Sequence, residues 1–275
     1  MVNSPLLRSS GLVTLTSDFG VQDTYVGVMK GAISQVNLRL TLIDLTHHIP
    51  PQNILAARFA LMTAVPYFPA GTVHLAVVDP GVGSQRRAIA IAAGTADQEP
   101  WAFLVGPDNG ILSGVLQIYP ALAAVELDNP AFWRCSEPSA TFHGRDIFAP
   151  VAAHLASGIP LQDLGTAIAP DCLVRANLPE PRWDGNLVVG TVQAIDHFGN
   201  LVTNILGRSV AGKGWRCQVG DRRIASGYTY SDVALGELVA IVGSHGWVEI
   251  AVNGGNAQEQ LHLDWGGTVE LFVEG

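Results

Sequence analysis

Four apolar runs end in acids. "LVTLTSDFG" (12–20) runs into Asp18 and Phe19, and "LTLIDLTHHIPP" (40–51) holds Asp44 with His47 and His48 just behind it. "TVHLAVVDPGVG" (72–83) delivers Asp79 ahead of a Pro-Gly-Val-Gly turn, and "WAFLVGPDNG" (101–110) delivers Asp108 and Asn109. A carboxylate at a strand end presents two acceptor oxygens, which match the two adjacent donors of a ribose diol. Taken singly, each acid has an equally good reading as a turn or cap residue. Four on the carboxyl edge of one sheet point instead to a binding cleft. The glycines of "DPGVG" fit neither G-x-G-x-x-G nor G-x-x-x-x-G-K-[ST], and no phosphate-gripping lysine follows. A cleft of acids with few cations suits a neutral or cationic ligand.

Two further segments carry chemistry. "TFHGRDIFAP" (141–150) groups His143, Arg145 and Asp146 in a polar, glycine-broken stretch. "IDHFGNLVTNI" (195–205) places Asp196, His197, Phe198 and Asn200 in a tight turn between strands. Asp, Gly and Asn suit such a turn for backbone reasons alone. Phe198 is less expected there; it offers a flat face to an aromatic base whose edge Asn200 can hydrogen-bond. "VGSHGWVEIAVNGGNA" (242–257) adds Ser244 and Asn253 as polar candidates. Neither C-x-x-C, H-x-x-x-H nor H-E-x-x-H occurs, so no structural zinc is expected. Asp44, His47 and His48 are the one candidate metal group, and adjacent histidines in a loop tend to point apart; no metal is assigned.

The elements that must position these residues alternate over the first two-thirds of the chain. Strands read at 12–20, 40–51, 72–83, 87–94, 101–110 and 123–129, with helices at 23–37, 52–68, 111–120 and 145–158. Near-continuous apolar strands belong to a sheet covered on both faces. The composition then shifts at "NLPEPRWDGN" (177–186), which reads as a linker, and short strands separated by Gly or Asn turns follow. The expectation is an α/β N-terminal domain (1–178) with a mostly parallel sheet, then a smaller all-β, barrel-like C-terminal domain (179–275).

Composition removes whole classes of function. Of 275 residues, 48% are hydrophobic and 14% charged, which excludes a disordered chain or a coiled coil. The net charge is −9 and no Lys/Arg run exceeds Arg86-Arg87, so no nucleic-acid partner is expected. No apolar run reaches about 18 residues, so no membrane span is expected. The N-terminus lacks the basic-then-apolar order of a signal peptide. Cys135, Cys172 and Cys217 are odd in number and widely spaced, as reduced thiols of a cytoplasmic protein would be. No G-x-S-x-G elbow marks an ordinary α/β hydrolase.

Six segments occur in order: "TSDFG" (16–20), "DPGVGSQRR" (79–87), "GPDNG" (106–110), "TFHGRDIFAP" (141–150), "IDHFGNLVTNI" (195–205) and "GSHG" (243–246). This series resembles the S-adenosyl-L-methionine hydroxide adenosyltransferases, relatives of the S-adenosylmethionine-dependent fluorinase and chlorinase, over residues 12–273. The resemblance implies cleavage of S-adenosyl-L-methionine by a water-derived hydroxide to adenosine and L-methionine. It also implies a homotrimer with ligand held between adjacent subunits, and no cofactor beyond the substrate. It places the water-activating set on Asp79, Arg86 and His143, and the ribose-binding acid on Asp18, with Phe19 beside it. Asp196 falls at the methionine ammonium, Ser244 at the methionine carboxylate, and Phe198 and Asn200 at the nucleoside. The halogenating relatives carry tyrosine at the positions of Asp79 and His143, and a long insertion where this chain has only "GTADQEP" (94–100). Two positions depart from the pattern. Gln52 stands where an aromatic usually follows the double proline, so apolar cover there would come from Tyr25 or Phe19. His245 falls where relatives vary and receives no role.

The implied chemistry needs such a set. The sulfonium makes C5′ electrophilic and methionine leaves as a neutral thioether, so the nucleophile is the hard part. Water, with a pKa of about 15.7, attacks poorly without a metal, and the protein must supply orientation and positive potential. Arg86 beside Asp79 weakens the carboxylate as a base, so Asp79 is expected to orient the water while His143 or bulk solvent takes the proton. The same carboxylate disfavours chloride and fluoride. The competing readings are a non-catalytic S-adenosylmethionine-binding protein and a halide-using chlorinase or fluorinase.

Overall fold

The computed structural model describes residues 9–95 and 100–274. The start of the N-terminal segment read above (1–8) and positions 96–99 of the short 94–100 connection lie outside the described residues. The chain divides into two compact units, one up to Ala176 and the other from Asn177.

The first unit contains β1 (Leu12–Ser17), α1 (Tyr25–Val36), β2 (Thr41–Thr46), α2 (Ile54–Ala64), β3 (Thr72–Val77), β4 (Ala88–Ala93), β5 (Ala102–Pro107), β6 (Ala121–Glu126), α3 (Ala149–Ala156) and β7 (Thr166–Ile168). They form one seven-stranded sheet in the order β2-β1-β3-β5-β4-β6-β7. β1 pairs in parallel with β2 and β3, and β3 with β5, whereas β4 is antiparallel to β5 and β6, and β7 to β6. Five of the seven strands therefore run one way, as expected for a mostly parallel sheet. Alternate residues of a strand face opposite sides. In β3, Val73, Leu75 and Val77 join one apolar cluster with Met29 and Ile33 of α1 and Val151 of α3. Ala76 of the same strand joins a second cluster with Leu61 of α2, Ile111 and Leu112. Burial on both faces is why these strands read as continuous apolar runs.

The connections fix where a ligand can sit. From β1 the chain passes through α1 to β2 on one side, then through α2 to β3 on the other. The carboxyl ends of β1 and β3 thus flank a topological switch point, where open α/β sheets form their crevice. Asp18 follows β1 and Asp79 follows β3 within two residues. Two expected helices differ in form. Residues Ile111–Gln117 make a 3₁₀ turn after Gly110, whose φ is 98°. The helix expected over 145–158 begins as a π-helical turn, Gly144–Phe148, before α3; Ala149 N donates to Gly144 O five residues back, and that longer span widens the coil.

The second unit comprises β8 (Arg182–Asp184), β9 (Leu187–Ile195), β10 (Leu201–Leu206), β11 (Trp215–Val219), β12 (Arg222–Ala225), β13 (Leu238–Val242), β14 (Trp247–Val252), α4 (Ala257–Leu261) and β15 (Thr268–Val273). Pairing is antiparallel in the order β12-β11-β15-β9-β10-β14-β13, with β8 on β9. A bridge between Ser226 and Ala240 draws the two ends of this path together, giving the barrel-like closure. Its core holds Val188, Leu201, Cys217, Ile250 and Leu271. Part of the segment read as linker is β8, which folds back on β9 through Gly185 at φ 56°. β12 and α4 were not anticipated either; both are too short for a periodicity to show.

Candidate functional site

A cleft of about 420 Å³ opens in the first unit at the carboxyl ends of β1 and β3. Its lining includes Asp18, Phe19, Gln52, Asp79, Phe142 and His143. Asp79 leaves β3 into the turn Pro80–Ser84, which Val82 N closes on Asp79 O at 3.2 Å. Gly83 sits at φ 77°, and a side chain there would drive its Cβ into the carbonyl oxygen of Ala140. The Asp79 loop therefore lies directly on the loop that carries His143, and glycine permits that approach.

Arg86 joins the two. Its Nε donates to Asp79 Oδ1 and Oδ2 at 2.9 and 3.0 Å, and its Nη2 also contacts Oδ2. The same Nη2 lies 2.9 Å from His143 Nδ1. The guanidinium stacks over the Phe148 ring at 5.2 Å, which holds its plane. A guanidinium only donates, so His143 Nδ1 accepts and the ring proton sits on Nε2. Burial, followed by the Arg86 charge, holds the imidazole below its ordinary pKa despite Asp79 and Asp146. His143 is thus a neutral ring with an N–H to offer. Of the two proton acceptors expected from the sequence, His143 and bulk solvent, this arrangement favours solvent, because the Nδ1 lone pair faces Arg86.

Asp18 Oδ2 accepts the Gln52 backbone N–H at 2.8 Å. Gln52 reaches that position with φ at 64°, left-handed backbone that side chains rarely adopt. Phe19, Tyr25 and Phe142 form a triangle of rings with centroids 5.4–5.9 Å apart. Tyr25 and Phe19 therefore give apolar cover to the cleft, and Phe142, not singled out from sequence, completes it. The signal for Phe142 was its place beside His143 in a polar loop.

Three other acids picked out from the sequence, Asp108, Asp146 and Asp44, are each paired with a cation. Asp108 takes Arg87 Nε at 2.9 Å and Val174 N at 2.9 Å. Asp146 is fully buried between Arg134 and Arg145 and accepts Ser139 N. Burial raises its carboxyl, but those bonds outweigh burial and hold it far below the usual carboxylate range. Asp44 pairs with Lys30 at 2.6 Å. Among the described residues, no group of three or more His, Cys, Asp or Glu side chains is placed to hold a metal ion.

In the second unit, Asp196 Oδ1 accepts Phe198 N and Asn200 N, both at 2.9 Å, and Oδ2 accepts Asn200 Nδ2 at 2.9 Å. The Asn200 side chain is pinned to Asp196, while Phe198 stands 71% exposed. Ser244 is exposed in the turn between β13 and β14. His245 accepts Trp247 N on Nδ1 and faces the buried Glu249 with Nε2 at 2.8 Å.

Residues 13–165 match the family model for the SAM hydroxide adenosyltransferase N-terminal domain, and residues 190–270 match that for the C-terminal domain. The chain is 43% identical over 250 residues to a protein of Salinispora tropica named (R)-S-adenosyl-L-methionine hydrolase, covering 90% of this chain and 93% of that one. A Thermus thermophilus protein of the same name is 42% identical, with 94% and 99% covered. A crystal structure of an uncharacterized conserved protein from Thermotoga maritima superposes with a TM-score of 0.85 at 37% identity, over 95% of this chain and 99% of that one. The chain belongs to the SAM hydroxide adenosyltransferase family.

Proposed function

We propose that this protein hydrolyses S-adenosyl-L-methionine at C5′ to adenosine and L-methionine. The observation that carries the reading is the single guanidinium of Arg86 bonded at once to Asp79 and His143, at the cleft that also holds Asp18. Asp79 accepts a hydrogen bond from the attacking water and His143 Nε2–H donates one to its oxygen, so a lone pair is left to face C5′. Arg86 adds the positive potential that favours hydroxide, and the proton leaves to solvent. As the C–O bond forms, the C5′–S bond breaks and its pair stays on sulfur as the thioether. Alignment alone contributes several kcal/mol to such a displacement.

Asp18 takes the ribose diol with Phe19 beside it, Asp196 the ammonium and Ser244 the carboxylate of the methionine end, and Phe198 with Asn200 the base. The same reading includes a cytoplasmic homotrimer holding ligand between adjacent subunits, and a catalytic α/β domain ending at 178, followed by a β-barrel domain (179–275). Mere binding would need no trio of this kind, and a fixed carboxylate beside the nucleophile disfavours halide. The test is chromatography of products after incubation with S-adenosylmethionine in water labelled with heavy oxygen. The label is expected in the adenosine 5′-hydroxyl. Recovery of intact substrate, or a 5′-halogenated nucleoside as main product in molar chloride, overturns the reading.

A further inference from the structure

A chain of polar contacts runs behind Asp18. Lys30 Nζ donates to Asp44 Oδ2 at 2.6 Å. His47 Nε2 lies 3.1 Å from Asp44 Oδ1, close but off the hydrogen-bond line, so that contact is chiefly electrostatic. His47 Nδ1 is 2.7 Å from Ser17 Oγ, and Ser17 Oγ accepts Phe19 N at 3.3 Å. The directions are set by chemistry. Nε2 faces a carboxylate and carries the ring proton; Nδ1 then accepts from the Ser17 hydroxyl, whose oxygen accepts Phe19 N–H. The His47 carbonyl closes the loop by accepting Gly20 N at 2.8 Å. Ser17 before Asp18 and Gly20 after it are thus both tied to His47, one through the imidazole and the other through the backbone carbonyl.

The pairing of β1 with β2 explains how Asp44 and His47 come to face this way. Leu15 opposes Asp44 but Thr16 opposes Thr46, so β2 carries an extra residue at the point where β1 gives way to the Asp18 loop. Such a bulge re-aims side chains beside a site. The trio of Ser17, His47 and Asp44 has the residue types of a nucleophilic triad, yet Ser17 is fully buried and His47 is 3% exposed. No substrate atom can reach that hydroxyl, so its role is mechanical.

We propose that Ser17, His47, Asp44 and Lys30 are positioning residues that hold the Asp18–Phe19 segment in the geometry needed to grip a ribose diol. The inference rests on the proposed function, and neither residue type nor spacing signalled it, since Asp44 and His47 read from sequence as a metal candidate. The readout is the ratio of adenosine to 2′-deoxyadenosine affinity, measured by calorimetry on the full chain. Ser17→Ala is expected to shrink that ratio about five- to tenfold, as loss of a buried hydrogen bond near the diol would. Ser17→Thr, which restores a hydroxyl, is expected to recover it to within about twofold of the wild type. Lys30→Met, at the exposed end of the chain, is expected to shrink it about two- to threefold without threatening the fold. If both nucleosides weaken equally in Ser17→Ala, or if the ratio is unchanged, the chain is only a fold element and the inference fails. Should Ser17→Ala not fold, an unchanged ratio in Lys30→Met overturns it just as well. A wild-type protein that binds no adenosine defeats the functional reading itself, and this inference with it.

Discussion

The two units treat their polar residues in opposite ways. In the α/β unit, Asp79, Arg86 and His143 satisfy one another, with the Asp79 side chain 6% and the Arg86 side chain 11% exposed. Their geometry is fixed by their own mutual bonds, the preorganisation that electrostatic catalysis needs. In the β unit, Asp196 is spent on its own turn and Phe198 stands in solvent. That surface gains by burying an aromatic ring against something flat, so it serves affinity more than chemistry. In the proposed function, one unit acts on a bond and the other recognises a group.

The largest break in this contrast comes from Arg86. Arg86→Met leaves the Asp79 carboxylate nearly buried without a partner and removes the donor that sets the His143 tautomer. A loss in kcat/KM of about 10³-fold is expected from initial rates, with Arg86→Lys intermediate because it keeps charge but not the fork. Activity within tenfold of wild type in Arg86→Met would mean that the trio is not what drives the reaction.

His143 tests what kind of group the trio presents. Acting as an N–H donor, it tolerates an amide: His143→Ala is expected to cost about 10²-fold in kcat, and His143→Gln about tenfold less than that. The pH profile carries a second check. The imidazole pKa is lowered by burial and by Arg86, so the neutral form persists through neutrality and into mild acid. Activity is therefore present above the ordinary imidazole range and lost only as pH falls through the lowered value. An acid limb at or above about 6.5 would restore His143 as an ordinary base.

Phe198 sharpens the other side of the comparison. Phe198→Ala is expected to raise KM for S-adenosylmethionine about tenfold while kcat stays within about threefold, because base stacking contributes to binding and not to the displacement. A fall in kcat with KM unchanged would place this ring at the reacting atoms.

Much of the α/β unit was legible because burial on both faces writes itself into composition. β1 and β3 show as apolar runs ending in Asp18 and Asp79, and strand order then puts those ends side by side. Pairing partners were not legible. Arg86 and Arg87 are neighbours in the chain, yet one turns to Asp79 and the other to Asp108. The four strand-end acids look alike in sequence; only the packed structure shows that Asp108 is held between Arg87 and Val174 N, whereas Asp79 shares its arginine with His143 at the cleft. Asp146 looked like a site residue beside His143, and the arginine that most changes its meaning, Arg134, lies 12 positions away. The β unit was read as strands and turns, but β8 hid in a segment whose Pro and Gly read as linker.

The smallest effect separates the units by their response to pH. In the α/β unit, burial holds His74 down to about 3 while it is hydrogen-bonded to Thr14, and His143 and His154 are lowered too. Between those values and the unfolded value of about 6.5, the unfolded chain binds more protons than the native one. Stability then falls as pH drops, by at most about 1.4 kcal/mol per pH unit for a fully buried group such as His74. In the β unit the shifts run the other way. Burial pushes Cys217 up to about 12, and burial with Glu249 and Asp196 pushes Tyr230 up to about 12. From about pH 9 upward the unfolded chain sheds protons that the native unit keeps, so stability falls as pH rises. Tyr119 adds a raised group to the α/β unit as well, through burial alone, and softens the contrast on the alkaline side. Brief hydrogen-exchange labelling at a common pH, after equilibration near pH 4.5 or pH 10.5 in sub-denaturing urea, reads both units by mass spectrometry. Peptides of β1 and β3 are expected to lose protection first in acid, and peptides of β11 and β14 first in alkali. His74→Gln keeps a partner for Thr14 and removes the titration, so it should flatten the acid loss in β3 and leave β11 unmoved. Equal loss in both units at both extremes would show that they unfold as one, and the division of labour between them would then not extend to their stability.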